Sequence, residues 1–224
     1  MADGFYCQRP AETVSMRAMI KALLLIFEPI GAWDGAARRS LNFTLLFYLL
    51  PMMLIVGAAE AFGLVHWGRF QSEMIGVKKF APGEAGVAEV GQLFLMVICI
   101  LLAAYFIKAL GETFHGRNNY KQTLTIVIYG LSPVFLFRLL DMIPNLSLWI
   151  PWAVGIVLTA KILYHGIPRV MEPDPPHALG LYFMSSLLLA MITAAERFIS
   201  IGYLTGKFQP LSNVVSDIVT KLHL

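Results

Sequence analysis

The chain has 224 residues, 58% of them hydrophobic and 14% charged, where a soluble domain carries about 25% charge. With a mean hydropathy of +0.69 it holds more apolar surface than one core of this size can bury, so lipid is its solvent. A soluble enzyme, a nucleic-acid binder and a disordered linker are excluded. The net charge of +3 comes from basic residues scattered between apolar runs, which reads as a topology signal and not as a polyanion-binding surface.

The first residues, MADGFYCQRPAETVS, lack the positive stretch and short apolar run of a secretory signal, so the first span is expected to direct insertion. Val14 to Glu28 places Met16, Met19, Ile20, Leu23 and Phe27 on one stripe and Arg17, Lys21 and Glu28 on another. This period predicts an amphipathic helix lying in the membrane interface, stopped by Pro29 and followed by Trp33 at a depth suited to an indole. Cys7 and Cys99 lie too far apart in sequence and expected depth to suggest a disulfide or a thiolate metal site.

Five segments are long and apolar enough to cross about 30 Å of hydrocarbon: Leu41 to Val65, Val90 to Leu110, Gln122 to Leu140, Leu148 to Ile167 and Leu179 to Tyr203. They are too long for the strands of an outer-membrane barrel. The expected fold is an all-α integral membrane protein, a five-helix transmembrane bundle. Residues 1–40 form its N-terminal segment with the interfacial helix, 41–203 the membrane domain, and 204–224 a tail. In that tail Leu211, Val214, Val215, Ile218, Val219 and Leu222 predict a second short amphipathic helix. His66 to Glu89 is the one long connection and reads as a weakly ordered excursion; the others are short, so successive helices should be antiparallel neighbours.

With the N-terminus inside, the inner segments hold nine basic residues: Arg9, Arg17, Lys21, Arg38, Arg39, Lys108, Arg117, Lys121 and Arg169. The outer segments hold six: Arg69, Lys78, Lys79, Arg138, Lys207 and Lys221. The bias, with Arg38 and Arg39 directly before the first span, predicts a cytoplasmic N-terminus and a C-terminus on the far side.

Ionisable residues inside spans are functional candidates by default. Glu60, Glu196 and Arg197 form a candidate polar path for a proton or cation; the structural alternative is that Glu60 snorkels and Glu196 pairs with Arg138 or Arg197. Arg138 and Asp141, three apart, fit an intrahelical ion pair. Lys161 and His165, four apart, are candidates to contact a lipid headgroup, with snorkelling as the alternative. The five histidines lack zinc-ligand spacing, and no nucleophile–base constellation, phosphate loop or dinucleotide fingerprint appears. No metal, no cofactor and no catalytic residue is expected. Gly57, Gly130, Gly155 and Gly180, with Pro51, Pro133 and Pro151, interrupt spans and read as packing devices in preference to a binding site.

The stretch GRNNYKQTLTIVIYGLSPVFLFRLLDMIPNLSLWI, Gly116 to Ile150, resembles the bacterial form of the Yip family of five-span membrane proteins, named for interaction with Ypt and Rab GTPases. The resemblance falls on Gly116 and Arg117 in a turn, on Tyr120 at the helix start, on Tyr129 followed by Pro133, and on Ile143 with Pro144. Upstream, Pro29 and Trp33 match the family's approach to the first span. The eukaryotic members' Asp-Leu-Tyr-Gly-Pro-type motif has no counterpart before Leu41. The resemblance implies five spans and a cytoplasmic N-terminus, and it carries no catalytic activity. The expected function is non-enzymatic: organising partner proteins or bilayer shape as a scaffold or accessory subunit, among membrane lipids and protein partners or a second copy, in the bacterial inner membrane. A small transporter, channel or lipid-translocating protein is the alternative.

Overall fold

A computed structural model describes residues 20, 23, 24, 26, 27, 29–37, 40–72, 76–114, 119–144 and 146–205. Its order is a short helix α1 (Pro29–Ala37), a first span α2 (Leu41–His66), an antiparallel hairpin of β1 (Arg69–Ser72) and β2 (Gly76–Lys78), and four further spans. These are α3 (Pro82–Thr113), α4 (Tyr120–Met142), α5 (Trp149–Val170) and α6 (Pro175–Leu204). Five spans are therefore present as expected. The predicted C-terminal helix lies outside the described residues, as does most of Val14 to Glu28.

The spans are not equal in the bundle. The apolar window of α4 is 78% buried, while each other span buries at most 39%. α4 is thus the central helix, wrapped by α2, α3 and α5. Glycines set how close its neighbours come. At Gly155 a Cβ would lie 2.9 Å from the Cα of Val134 on α4, and at Gly63 a Cβ would lie 2.8 Å from the Cα of Met142. Both are backbone contacts that only a missing side chain permits, which is how helices pack without a hydrophobic driving force between them. Gly130, Gly57 and Gly180 also touch neighbouring side chains, so the packing role expected of the interrupting glycines is the observed one.

Two prolines break helices and leave identifiable repairs. Pro51 cannot donate to Phe47, and the chain takes a π turn over Leu45–Leu49 before resuming. Pro133 cannot donate to Tyr129, and α4 is interrupted at Leu131 between Tyr120–Gly130 and Ser132–Arg138. Ser132 Oγ donates to the freed Tyr129 carbonyl at 2.5 Å, and Ser132 Oγ is hydrogen-bonded in turn to Tyr48 Oη of α2.

The long connection is not an excursion. Gly68, at φ +77°, turns the chain out of α2 with its N–H on the Gly63 carbonyl at 3.1 Å, a left-handed helix stop that suits glycine. After the hairpin, Phe80 N–H returns to the Leu64 carbonyl at 3.2 Å, and Phe80 packs with Leu64, Ala85, Ala88 and Leu204. The stretch Ala81 to Gly86, read as loop, is the first turns of α3, with Pro82 in the first turn, where its missing N–H has no helical partner to lose.

Trp33 also departs from expectation. It is fully buried, its indole N–H donates to the Ile162 carbonyl at 3.1 Å, and its ring meets Tyr129 edge-on at 6.2 Å. Gly166 makes room for the indole, since a side chain there would overlap it. α1 is therefore docked into the bundle against α5 and α4. Gly155→Ala should lower thermal stability in detergent by about 1–3 kcal/mol through overpacking, whereas Gly91→Ala, where a Cβ meets nothing within 4 Å, should be neutral or gain up to ~1 kcal/mol. Equal melting of the two variants would contradict the close α4–α5 approach.

Candidate functional site

The buried charged residues among those described meet at one end of the bundle, the end with the hairpin. Arg138 projects from the central helix two turns after the Pro133 break. Its Nε donates to Glu60 Oε1 of α2 at 2.6 Å and its Nη1 to Glu196 Oε1 of α6 at 3.0 Å. Gln92 of α3 donates to the other Glu60 oxygen at 2.6 Å, and Ser200 Oγ donates to Glu196 at 3.2 Å. One guanidinium thus holds carboxylates from two other helices, and an amide and a hydroxyl complete their shells.

Arg197, next to Glu196, points to a different partner. Its Nη2 forms a short ion pair with Asp141 Oδ2, and its Nε donates to the Leu148 carbonyl at 3.2 Å before α5. The hairpin closes the end: Arg69 Nη1 donates to the Asp141 carbonyl at 2.9 Å. Burial draws the Arg69 guanidinium down from its ordinary pKa, and nearby Asp141 and Glu60 pull it back up. Glu89 of α3 lines the same small cavity as Glu60.

Glu60, Glu196 and Arg197, singled out in the sequence, are therefore brought together. Glu60 does not snorkel; it is 6% exposed and ion-paired. The intrahelical Arg138–Asp141 pair does not form. Each of the two faces inward and meets an opposite charge on another helix, and a bond between them would leave Glu60, Glu196 and Arg197 without compensation. Arg69 and Glu89 escaped sequence reasoning because they lie in the connection read as exposed, and Gln92, at the start of the second expected span, because it carries no charge. The spacing of Glu89 and Gln92, three apart after a helix-starting Pro82, was the available signal.

Lys161 and His165 do not share a site. Lys161 sits mid-helix in α5, donates to the Ile26 carbonyl at 3.5 Å, and borders an apolar groove of about 540 Å³ with Leu23, Phe27 and Phe137. His165 lies on a separate groove of about 410 Å³ with Tyr164, Arg169 and Tyr182. Among the described residues no group of three His, Cys, Asp or Glu is arranged to hold a metal.

The resemblance positions also fall into place. Trp33, Tyr129 and Pro133 belong to one seam with Tyr48, whose ring lies 4.5 Å from that of Tyr129. Pro29 is the first residue of α1, and Pro144 stands in the turn after α4. Tyr120 opens α4 after the cap Asn119, and its hydroxyl donates to the Leu101 carbonyl at 3.4 Å. Gly116 and Arg117 lie outside the described residues.

Fold and site together define a five-span helical membrane protein closed at one end by a buried ion-pair cluster. The Yip1 domain profile matches residues 23–195, and the chain belongs to that family. Neither the curated proteins nor the solved structures hold a significant match.

Arg138→Gln should cost about 3–5 kcal/mol by leaving two buried carboxylates uncompensated. Adding Glu196→Gln in that background should recover part of the loss. Thermal unfolding of the single and double variants in the same detergent checks both signs.

Proposed function

We propose that the protein is a non-enzymatic membrane organiser that holds protein partners, or shapes the bilayer, through its lateral surface. The observation that carries this reading is the closure of the buried charges on one another. The cluster lines a cavity of only about 10 Å³, room for a single water. One helical turn inward, Val56, Met96 and Val134 belong to the apolar core. A substrate path would have to pass through them. The convergence of Glu60, Glu196 and Arg197 is what favours the second reading, transport, and it extends to a proton or one small ion at most.

What the bundle offers instead is surface. Leu23, Leu24 and Phe27 stand exposed beside the apolar groove, Phe27 at 81%. In this reading that segment and the groove contact the partner or wedge the bilayer. The N-terminus lies in the cytoplasm of a bacterial inner-membrane topology and the hairpin end faces outward, following the distribution of basic residues.

The double variant Leu23→Glu, Phe27→Glu should retain wild-type thermal stability, since both side chains are exposed. Its capture of cross-linked partners in native membranes should fall about tenfold or more, because losing an anchor residue costs over ~1 kcal/mol. Unchanged capture by a folded double variant would sink the proposal.

A further inference from the structure

The cluster at the hairpin end is satisfied everywhere except at one point. Among the described residues its unpartnered polar atoms are Arg69 Nε, Glu89 Oε2 and Asp141 Oδ1. Their residues are 8%, 5% and 6% exposed, and all three line the same cavity of about 10 Å³. Two acceptors and one donor on residues that line a space of one water's size are therefore unpaired, and unpaired buried groups of this kind call for a bound partner.

Formal charge says what kind. The buried carboxylates are Glu60, Glu89, Asp141 and Glu196, and the buried guanidiniums are Arg69, Arg138 and Arg197, which leaves one negative charge over. Glu60 and Glu196 share Arg138, and Asp141 holds Arg197. Glu89 forms none of these ion pairs: Arg69 and Arg138 act on it only from beyond salt-bridge distance, while the carboxylate of Glu60 repels it. The remaining groups facing the cluster are Gln92 and the Cys99 thiol of α3, Ser200 of α6, and the Leu148 carbonyl before α5. None supplies positive charge. An uncompensated charge at this depth is far costlier than a paired one.

We propose that this cavity is a binding site for one monovalent positive charge on a water-sized body, held between Glu89 and Asp141. A proton carried with water and an alkali cation share that chemistry. The Arg69 Nε–H needs an oxygen to receive it, which a water supplies and a bare ion does not. Filling the site relieves the repulsion between Glu60 on α2 and Glu89 on α3 and gives Arg69 its missing acceptor. It thereby ties the hairpin to three spans. The inference stands apart from the organiser role, since the site works whatever the lateral surface holds.

The test uses the full-length chain in nanodiscs of zwitterionic lipid. Melting temperature is followed from about pH 5 to about pH 9 in choline chloride, and at fixed alkaline pH as sodium chloride replaces choline chloride. The control is Glu89→Gln, a neutral isostere that removes the surplus charge and should fold. Wild-type protein should gain several degrees either on acidification, which identifies a proton, or on sodium addition, which identifies an alkali ion. Glu89→Gln should lose that response. Equal responses of the two proteins to both titrations overturn the proposal. Should the variant not fold, infrared difference spectra of the wild type decide. A deuterium-sensitive carboxylic C=O band that comes and goes with pH, or a carboxylate band shifted by sodium, supports the site, and no carboxyl change under either condition overturns it.

Discussion

Everything at the hairpin end depends on one guanidinium carried into the bundle by its central helix. Arg138 is 4% exposed, and a charge at that depth is tolerated only with opposite charge and hydrogen bonds around it. Two carboxylates from separate helices answer it, and each is itself secured by an amide or a hydroxyl. Such a network adds less net stability than its short distances suggest, because desolvation offsets most of the attraction. Its stronger effect is on register. Leucines on a span exchange lipid for protein at little gain. Sliding α2 by one turn, about 5.4 Å, would carry Glu60 out of reach of Arg138 and leave its carboxylate buried and unpaired.

The other half of α4 is fixed by a different device, and the two cooperate. Pro133 opens the helix and frees the Tyr129 carbonyl; Ser132 takes it, and Tyr48 of α2 takes Ser132. The Tyr129 ring then packs against Tyr48 at a tilt and edge-on against Trp33 of α1. α2 is thus pinned to α4 twice, once by a hydroxyl relay and once by an ion pair. A proline that frees a carbonyl inside lipid needs such a repair, so the Tyr129 to Pro133 spacing in the family resemblance has a structural cause.

The five spans were legible in the sequence because hydropathy over twenty residues is a strong signal that neighbours hardly alter. Glu60, Glu196 and Arg197 were legible as candidates because any charge inside such a span is conspicuous. Which charge meets which was legible only in part: Glu196 with Arg138 was among the pairings expected, but Glu60 with Arg138 and Asp141 with Arg197 were not. That choice depends on the relative rotation of helices, and local spacing favoured Arg138 with Asp141 over the cross-bundle partners that the structure selects. Arg69 and Glu89 were invisible for another reason. Arg69 opens a short hairpin and Glu89 follows it, and the hairpin's return is fixed by the Gly68 turn and by Phe80 against Leu64, contacts with no hydropathy signature. Trp33 shows the same limit, since only the space left by Gly166 on a distant span lets an indole enter the bundle.

This division of labour bears on function. A bundle that used its ionisable residues to move a solute would leave some of them facing a continuous polar cavity. Here, among the described residues, six of the seven buried charges have an opposite charge or carbonyl as partner, and the seventh, Glu89, lines a space the size of one water. The interior is a clamp. What remains free to vary in contact is the outside of the helices and the short N-terminal segment that α1 ties to Tyr129 and Ile162. Because the same α4 carries both the clamp and the aromatic seam, a change in how the hairpin end is filled bears on the helix against which that segment docks. The outer surface of the bundle and its buried charges are in this way joined through one helix.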